Sequence, residues 1–164
     1  MRLFEQAGLN RAVGIDALRG CLGGTLSIFI LLQLSQVSDY VWIMAPFGAS
    51  CVLLYAVPHS PLAQAKNVIL GHVSSACVGL LFLEFFPIHA FTIALAVGIS
   101  IAVMQCLKCI HPPAGANPLV ILLTYQQVHY GWDFLLFPVL TGAVLLVVIA
   151  KILNRWMRRS ALSF

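Results

Sequence analysis

Two cysteines and a histidine in the second half of the chain have the residue types of a metal site. Cys106, Cys109 and His111 are spaced Cys-x-x-Cys-x-His, and thiolates and imidazoles at such short spacing are common zinc ligands. Zinc takes about four ligands, and His59 is the one candidate for the fourth. We therefore predict no metal and no cofactor, and we interpret the two cysteines as small apolar thiols at a helix end.

Two histidines lie within or beside long apolar stretches. His72 is followed by Ser74 and Ser75, and a polar side chain inside such a stretch faces protein or water rather than lipid. We expect His72 to face a cavity or to brace nearby backbone. His111 directly precedes Pro112, and two roles are open for it. It either contacts a bound anion and titrates near neutral pH, or it hydrogen-bonds to irregular backbone.

Two short segments read Pro-x-Gly-Ala followed by a small polar residue: Pro46–Ser50, the first motif, and Pro113–Asn117, the second motif. Proline and glycine interrupt helices, and serine and asparagine are common N-cap residues. We expect helices to begin near Gly48 and near Gly115, capped by the two polar residues.

Free N–H groups at two facing helix N-termini bind a small anion without any basic side chain. The cavity is expected to be small, because glycine and alanine dominate both motifs. The predicted substrate-binding residues are Pro46, Phe47, Gly48, Ala49, Ser50, His72, His111, Pro112, Pro113, Ala114, Gly115, Ala116 and Asn117.

The composition identifies the medium that surrounds these residues. Hydrophobic residues make up 61% of the 164 residues and charged residues 9%, with a mean hydropathy of +0.99. Soluble domains are about a quarter charged, so the composition excludes a disordered chain, a nucleic-acid-binding domain and an ordinary soluble enzyme. The expected partner is the lipid bilayer. Five cysteines, an odd number, argue against a disulfide framework.

The charged residues divide the chain into stretches of membrane-spanning length. Since a helix needs about 20 apolar residues to span the hydrocarbon, the sequence predicts an all-α membrane protein with six transmembrane helices. A cytoplasmic segment at 1–19 with a short interfacial helix precedes them, and a basic tail at 154–164 follows. The charge-free stretches are 20–38, 40–65, 67–83, 85–107, 109–132 and 134–150.

The positions of the charges predict the orientation. Six crossings that start in the cytoplasm put all nine basic residues on one side, and Asp39, Glu84 and Asp133 on the other. Because lysine and arginine concentrate in cytoplasmic loops, both termini are predicted to be cytoplasmic.

The two motifs also belong to a longer internal repeat. The offset in residue number that carries Pro46 onto Pro113 also carries Lys66 onto Asp133, at the start of the following stretch. Each half then holds three spans, so the second half enters the membrane inverted relative to the first. This arrangement is typical of many transporters. The predicted repeats are 20–83 and 85–153.

The segment His111–Ala116 reads His-Pro-Pro-Ala-Gly-Ala and, together with Ala45–Ser50 and Ser60–Gln64, resembles the HPP family of integral membrane proteins. The resemblance extends from about residue 12 to residue 153. Plant chloroplast and cyanobacterial members of that family are associated with nitrite transport. The resemblance therefore implies a transporter or channel for a small inorganic anion, nitrite first, in a bacterial inner membrane.

Two other functions stay open at this stage. The first is a membrane-embedded metal- or thiol-dependent enzyme that uses Cys106, Cys109 and His111, although the acidic residues of the spans are expected on the opposite side. The second is an assembly subunit without transport, although broken helices would not benefit a scaffold. We predict no enzymatic activity.

Small residues recur at a spacing of four in two spans, which permits close helix packing. The packing is either within one chain or between copies, and we expect a homo-oligomer, with a dimer favoured. Gln105 either lines the path or hydrogen-bonds to another helix. The small residues are Gly71, Ser75 and Gly79, and Ala94, Gly98 and Ala102.

Overall fold

A computed structural model describes the backbone of residues 2–38 and 40–162, and the side chains of residues 13–38 and 40–157. All regular secondary structure in these ranges is helical, as predicted. The α-helices are α1 (Arg2–Val37), α2 (Ala45–Ala56), α3 (Ala65–Phe85), α4 (Ala90–Cys106), α5 (Asn117–Thr124) and α6 (Thr141–Leu162). Short 3₁₀-helical turns occupy Pro61–Ala63, Pro112–Ala116 and Trp132–Leu135, and a π-helical turn occupies Leu136–Leu140.

Three apolar helical segments are long enough to cross a membrane: Val13–Val37, Ala65–Phe85 and Trp132–Met157. The stretches 40–65 and 109–132, predicted as spans broken at the motifs, contain only the short helices α2 and α5. With 12 residues, α2 is about 18 Å long at a rise of 1.5 Å per residue, and α5 has 8 residues. Both fall well short of a hydrocarbon core of about 30 Å.

Proline explains why these two helices are short. Pro46 lies in the first turn of α2, where its missing N–H costs nothing. Pro58 follows the end of the helix, and a residue before proline disfavours helical backbone; Val57 is the non-helical C-cap. Pro112 and Pro113 similarly begin the turn that leads into α5.

The ends of the chain are continuous with the first and last helices. Helix α1 runs unbroken from Arg2 to Val37, so no break in the backbone marks residue 19, and the described side chains include a candidate span at Val13–Val37. The basic tail from residue 154 is the end of α6, which extends to Leu162. The side chains of the predicted interfacial helix before Val13, and Asp39, lie outside the described residues.

The element boundaries recur at the offset found in the sequence. The helix of the first motif begins at Ala45 and the turn of the second at Pro112; the following segments begin at Ala65 and Trp132. Both pairs of residue numbers differ by the same offset, 67. The helix contacts recur as well. The packing of α1 on α2 corresponds to the packing of α4 on α5, and the packing of α2 on α6 corresponds to the packing of α5 on α3. The two halves are therefore built alike.

Glycines of α3 let the second motif approach closely. A Cβ at Gly71 would lie 2.8 Å from the Cβ of His111, and one at Gly79 would lie 3.1 Å from the Cα of Pro118. The small face of α3 thus packs within the chain. On α4, Ala94, Gly98 and Ala102 are exposed, so the two small faces differ in environment.

Candidate functional site

The two motifs meet in space, although they are far apart along the chain. The first turn of α2 packs against the turn Pro112–Ala116, and a cavity of about 500 Å³ opens between them. Six of its lining residues form equivalent pairs at the offset of 67: Ala45 with Pro112, Pro46 with Pro113, and Ala49 with Ala116; Leu53 completes the wall. The cavity therefore lies between matching surfaces of the two halves.

Ser50 is the centre of a buried polar network beside this cavity. Its Oγ lies 2.8 Å from Nε2 of His72 and 2.8 Å from Nε2 of His111. All three residues are fully buried. The ring of Phe47 packs edge-on against His72, with centroids 5.0 Å apart. The network thus joins α2, α3 and the loop before the second motif.

Asn117 connects the same network to α5. Its Nδ2 donates to the carbonyl oxygen of His72 at 3.0 Å, and lies 3.2 Å from Nδ1 of the same residue. A carbonyl oxygen only accepts, so this contact fixes the orientation of the amide. The Oδ1 of Asn117 is left buried without a protein partner.

Backbone carbonyls anchor the network at two further points. Nδ1 of His111 lies 2.9 Å from the carbonyl oxygen of Leu62, in the turn between α2 and α3. Ser75 Oγ donates to the carbonyl oxygen of Ala114 in the second motif. Hydrogen bonds thus hold together five segments of the chain: α2, the turn that contains Leu62, α3, the segment from His111 to Ala114, and α5. The sequence singled out neither Leu62 nor the hydrogen-bonding role of Ser75, because both depend on contacts with distant segments.

The hydrogen bonds determine which nitrogen of each imidazole carries the proton. His111 must donate from Nδ1 to the Leu62 carbonyl, so its Nε2 accepts from the hydroxyl of Ser50. His72 accepts at Nδ1 from Asn117, so its Nε2–H donates to Ser50. Every donor then has an acceptor, and both imidazoles are neutral in this pattern.

The predicted capping roles of Ser50 and Asn117 are wrong. Met44 is the N-cap of α2, and Ser50 lies inside the helix, where it also contacts the Pro46 carbonyl at 3.1 Å. Asn117 is the first residue of α5, and its N-cap, Ala116, makes no side-chain capping bond. Both polar side chains are directed into the buried network instead, because they have partners there and not at the helix ends.

The anion site predicted on paired helix N-termini stays a prediction, and the structure limits the amides that could serve it. Pro112 and Pro113 have no N–H, and the N–H of Ala114 already donates to the His111 carbonyl at 3.0 Å. In the first motif, the N–H of Phe47 donates to Met44 at 2.9 Å. The amides of Phe47 and Ala114 are therefore already engaged, and side chains are a further source of polar contacts.

The glycines of the motifs also have a different environment from the one expected. None of the described glycines has a positive φ, so Gly48 and Gly115 have backbone that other residues can adopt. A Cβ at either position would meet no protein atom within 4 Å. Because these glycines have no side chain, they leave open space beside the motifs. Their backbone conformation does not require glycine.

The remaining candidate residues have different environments. Cys106 is exposed and Cys109 is buried, and the described side chains include no group of three metal-ligating residues. Gln105, His59 and His129 are exposed. His89 caps α4 through its contact with the N–H of Thr92.

The sequence profile described as HPP, transmembrane region, matches residues 10–162. A transmembrane protein of Dictyostelium discoideum is 31% identical over 151 residues, which are 90% of this chain and 49% of that protein. A second one from the same organism is 36% identical over 121 residues, which are 71% of this chain and 42% of that protein. The chain thus spans about half the length of these curated relatives. No solved structure matches it.

Proposed function

The chain belongs to the HPP transmembrane family, and from this premise we propose that it carries a small inorganic anion, nitrite first, across a membrane. The path runs through the cavity between the two motifs. Ser50, His72, His111 and Asn117 provide the polar contacts along it.

The observation that carries this proposal is the buried polar network between the motifs. An unpaired buried polar group costs about 1–3 kcal/mol, and polar residues inside membrane segments are usually functional. A bundle that only had to sit in lipid would gain nothing from two histidines, a serine and an asparagine at its centre. Their position beside a cavity shared by both halves fits a solute path.

An inverted repeat gives this path its symmetry. We propose that the halves, each made of three segments, lie in opposite orientations in the membrane, because an odd number of crossings reverses the second half. The recurrence of boundaries and helix contacts at a single offset supports this arrangement. The short helices α2 and α5 then correspond to each other, and each forms only part of its crossing, which the non-helical residues before it complete.

The cellular setting follows from the charges and from the exposed helix faces. We propose a bacterial inner membrane with both termini in the cytoplasm, because the basic residues then fall on the cytoplasmic side.

The exposed small face of α4, with Ala94, Gly98 and Ala102, is the proposed contact in a homodimer. No enzymatic activity is proposed.

Nitrite flux in vesicles containing only the purified protein tests the function. The wild type should move nitrite faster than protein-free vesicles, and Ser50→Ala should lose at least tenfold of that flux because it removes the centre of the network. Ser74→Ala is the matched control, since Ser74 contacts only the Gly71 carbonyl of its own helix. Equal flux in wild-type and protein-free vesicles, across nitrite and other small anions, would contradict the proposal.

A further inference from the structure

The buried network has a direction that solute binding alone does not require. Hydrogens point from Asn117 to His72, from His72 to Ser50, and from Ser50 to His111. The last donor is Nδ1 of His111, which faces the Leu62 carbonyl in the turn between α2 and α3. A row of hydrogen bonds in one direction, made of groups that both donate and accept, is the arrangement that proton transfer needs.

We propose that His72, Ser50 and His111 form a proton relay, with Asn117 at its entrance, that couples movement of the solute to movement of one proton. This inference rests on the proposed transport function and names its coupling ion. The relay begins at the side of His72 held by Asn117 and ends at Nδ1 of His111.

Each step of the relay balances. An incoming proton binds Nδ1 of His72, while the proton on Nε2 of His72 passes to Ser50 Oγ. Ser50 passes its own hydroxyl proton to Nε2 of His111, which becomes an imidazolium. His111 then releases the proton on Nδ1 to water that enters beside the turn that holds Leu62, and the Leu62 carbonyl only orients that N–H. One proton enters and one leaves, and the two rings exchange tautomers.

The position of Asn117 connects the proton to the solute. Its Nδ2–H donates a hydrogen bond to Nδ1 of His72, so a proton can bind that nitrogen only when the amide moves away. Its Oδ1 belongs to a residue that is 1% exposed, and this oxygen has no protein partner. A buried acceptor of this kind fits a ligand that donates a hydrogen bond, such as the protonated form of a weak acid. Such a solute delivers its proton where the relay begins.

The surroundings of His72 leave the relay as its proton partner. The ring of His111 is 5.1 Å away, and Phe47 covers another side. Four other titratable side chains in this part of the chain are buried or half-buried: Cys51, Tyr55, Cys77 and Cys109. Among the described residues, none of them makes a hydrogen bond to Ser50, His72, His111 or Asn117. The lysines described, Glu84 and Asp133 are exposed.

Combined measurement of nitrite and protons tests the coupling. Vesicles with a trapped pH dye and a clamped membrane potential receive nitrite at alkaline pH, where little undissociated acid leaks, and protein-free vesicles supply the background. The wild type should acidify the vesicle interior in proportion to nitrite uptake. His111→Gln keeps a hydrogen-bonding group without a transferable charge, so its residual nitrite uptake should lose that acidification. His129→Gln, at an exposed site, is the matched control.

The outcomes separate the two proposals. Uptake with unchanged acidification in His111→Gln would overturn the relay and leave transport intact, whereas a wild type that moves no nitrite would overturn the transport function. If the wild type or a variant shows no flux, ¹⁵N NMR of labelled histidines tests the relay without any measurement of transport. The relay requires the Nε2–H tautomer at His72 and the Nδ1–H tautomer at His111, with acidification of the sample protonating one of the two rings. The opposite tautomers, or two rings that stay neutral while the protein is folded, would contradict it.

Discussion

Ser50 and Asn117 occupy equivalent positions in the two motifs, and each hydrogen-bonds to a different nitrogen of the single ring of His72. One imidazole therefore bridges the two halves of the chain at their repeated motif. His72 has no counterpart in the second half, since position 139, at the offset of 67, is a valine. The halves are alike in backbone but differ in the polar side chains at their junction.

Removal of the bridging hydroxyl should weaken both the fold and the flux. Ser50→Ala leaves Nε2 of both His72 and His111 without a partner, at a cost of about 1–3 kcal/mol for a buried unpaired group. Thermal unfolding of the purified protein in detergent measures this loss. Ser74→Ala should unfold within experimental error of the wild type. A stable Ser50→Ala protein would mean that the two rings do not depend on the serine.

Close packing of α3 against α5 makes Gly79 sensitive to substitution. A Cβ there would lie 2.8 Å from Cδ1 of Ile121 and 3.1 Å from the backbone of Pro118, so Gly79→Ala should cost about 1–3 kcal/mol through overpacking. Gly98→Ala on α4 meets nothing within 4 Å and should instead be neutral or gain up to about 1 kcal/mol of helix propensity. Comparing the two unfolding midpoints checks the packing, and equal effects would contradict it.

The cavity between the motifs should be sensitive to filling without loss of the fold. Ala49 lines it from α2, and Ala49→Phe places a ring in the space while its apolar character suits the bilayer. We expect at least a tenfold loss of nitrite flux with normal yield of folded protein. Val52→Phe, at an exposed position of the same helix that does not line the cavity, is the control and should keep its flux. Full flux in Ala49→Phe would place the path elsewhere.

The orientation can be tested by labelling exposed positions. Lys66, Glu84 and Asp133 are all exposed in the structure. In a protein without native cysteines, an impermeant thiol reagent added outside intact cells should label Glu84→Cys and Asp133→Cys but not Lys66→Cys. Permeabilised cells should show all three labelled. Labelling of position 66 in intact cells would reverse the charge argument.

The sequence by itself determined the family, the helical membrane class and the repeated motif. These follow from composition, charge-free lengths and a fixed offset, all of which are local or periodic properties of the chain. The sequence also selected the four polar residues of the network, because a histidine, serine or asparagine inside an apolar stretch requires a partner.

Only the tertiary structure decided how those residues are used. Charge-free length and the motifs indicated broken spans at 40–65 and 109–132, but only the structure shows that their helices have 12 and 8 residues. The motifs suggested free amides at helix N-termini, yet Pro112 and Pro113 have none to offer. Ser50, His72, His111 and Asn117 lie on four different segments, so their shared hydrogen bonds arise from the packing of α2 and α3 against the turn of the second motif and of α5 against α3. The order of residues along the chain does not show how close these four side chains lie in space.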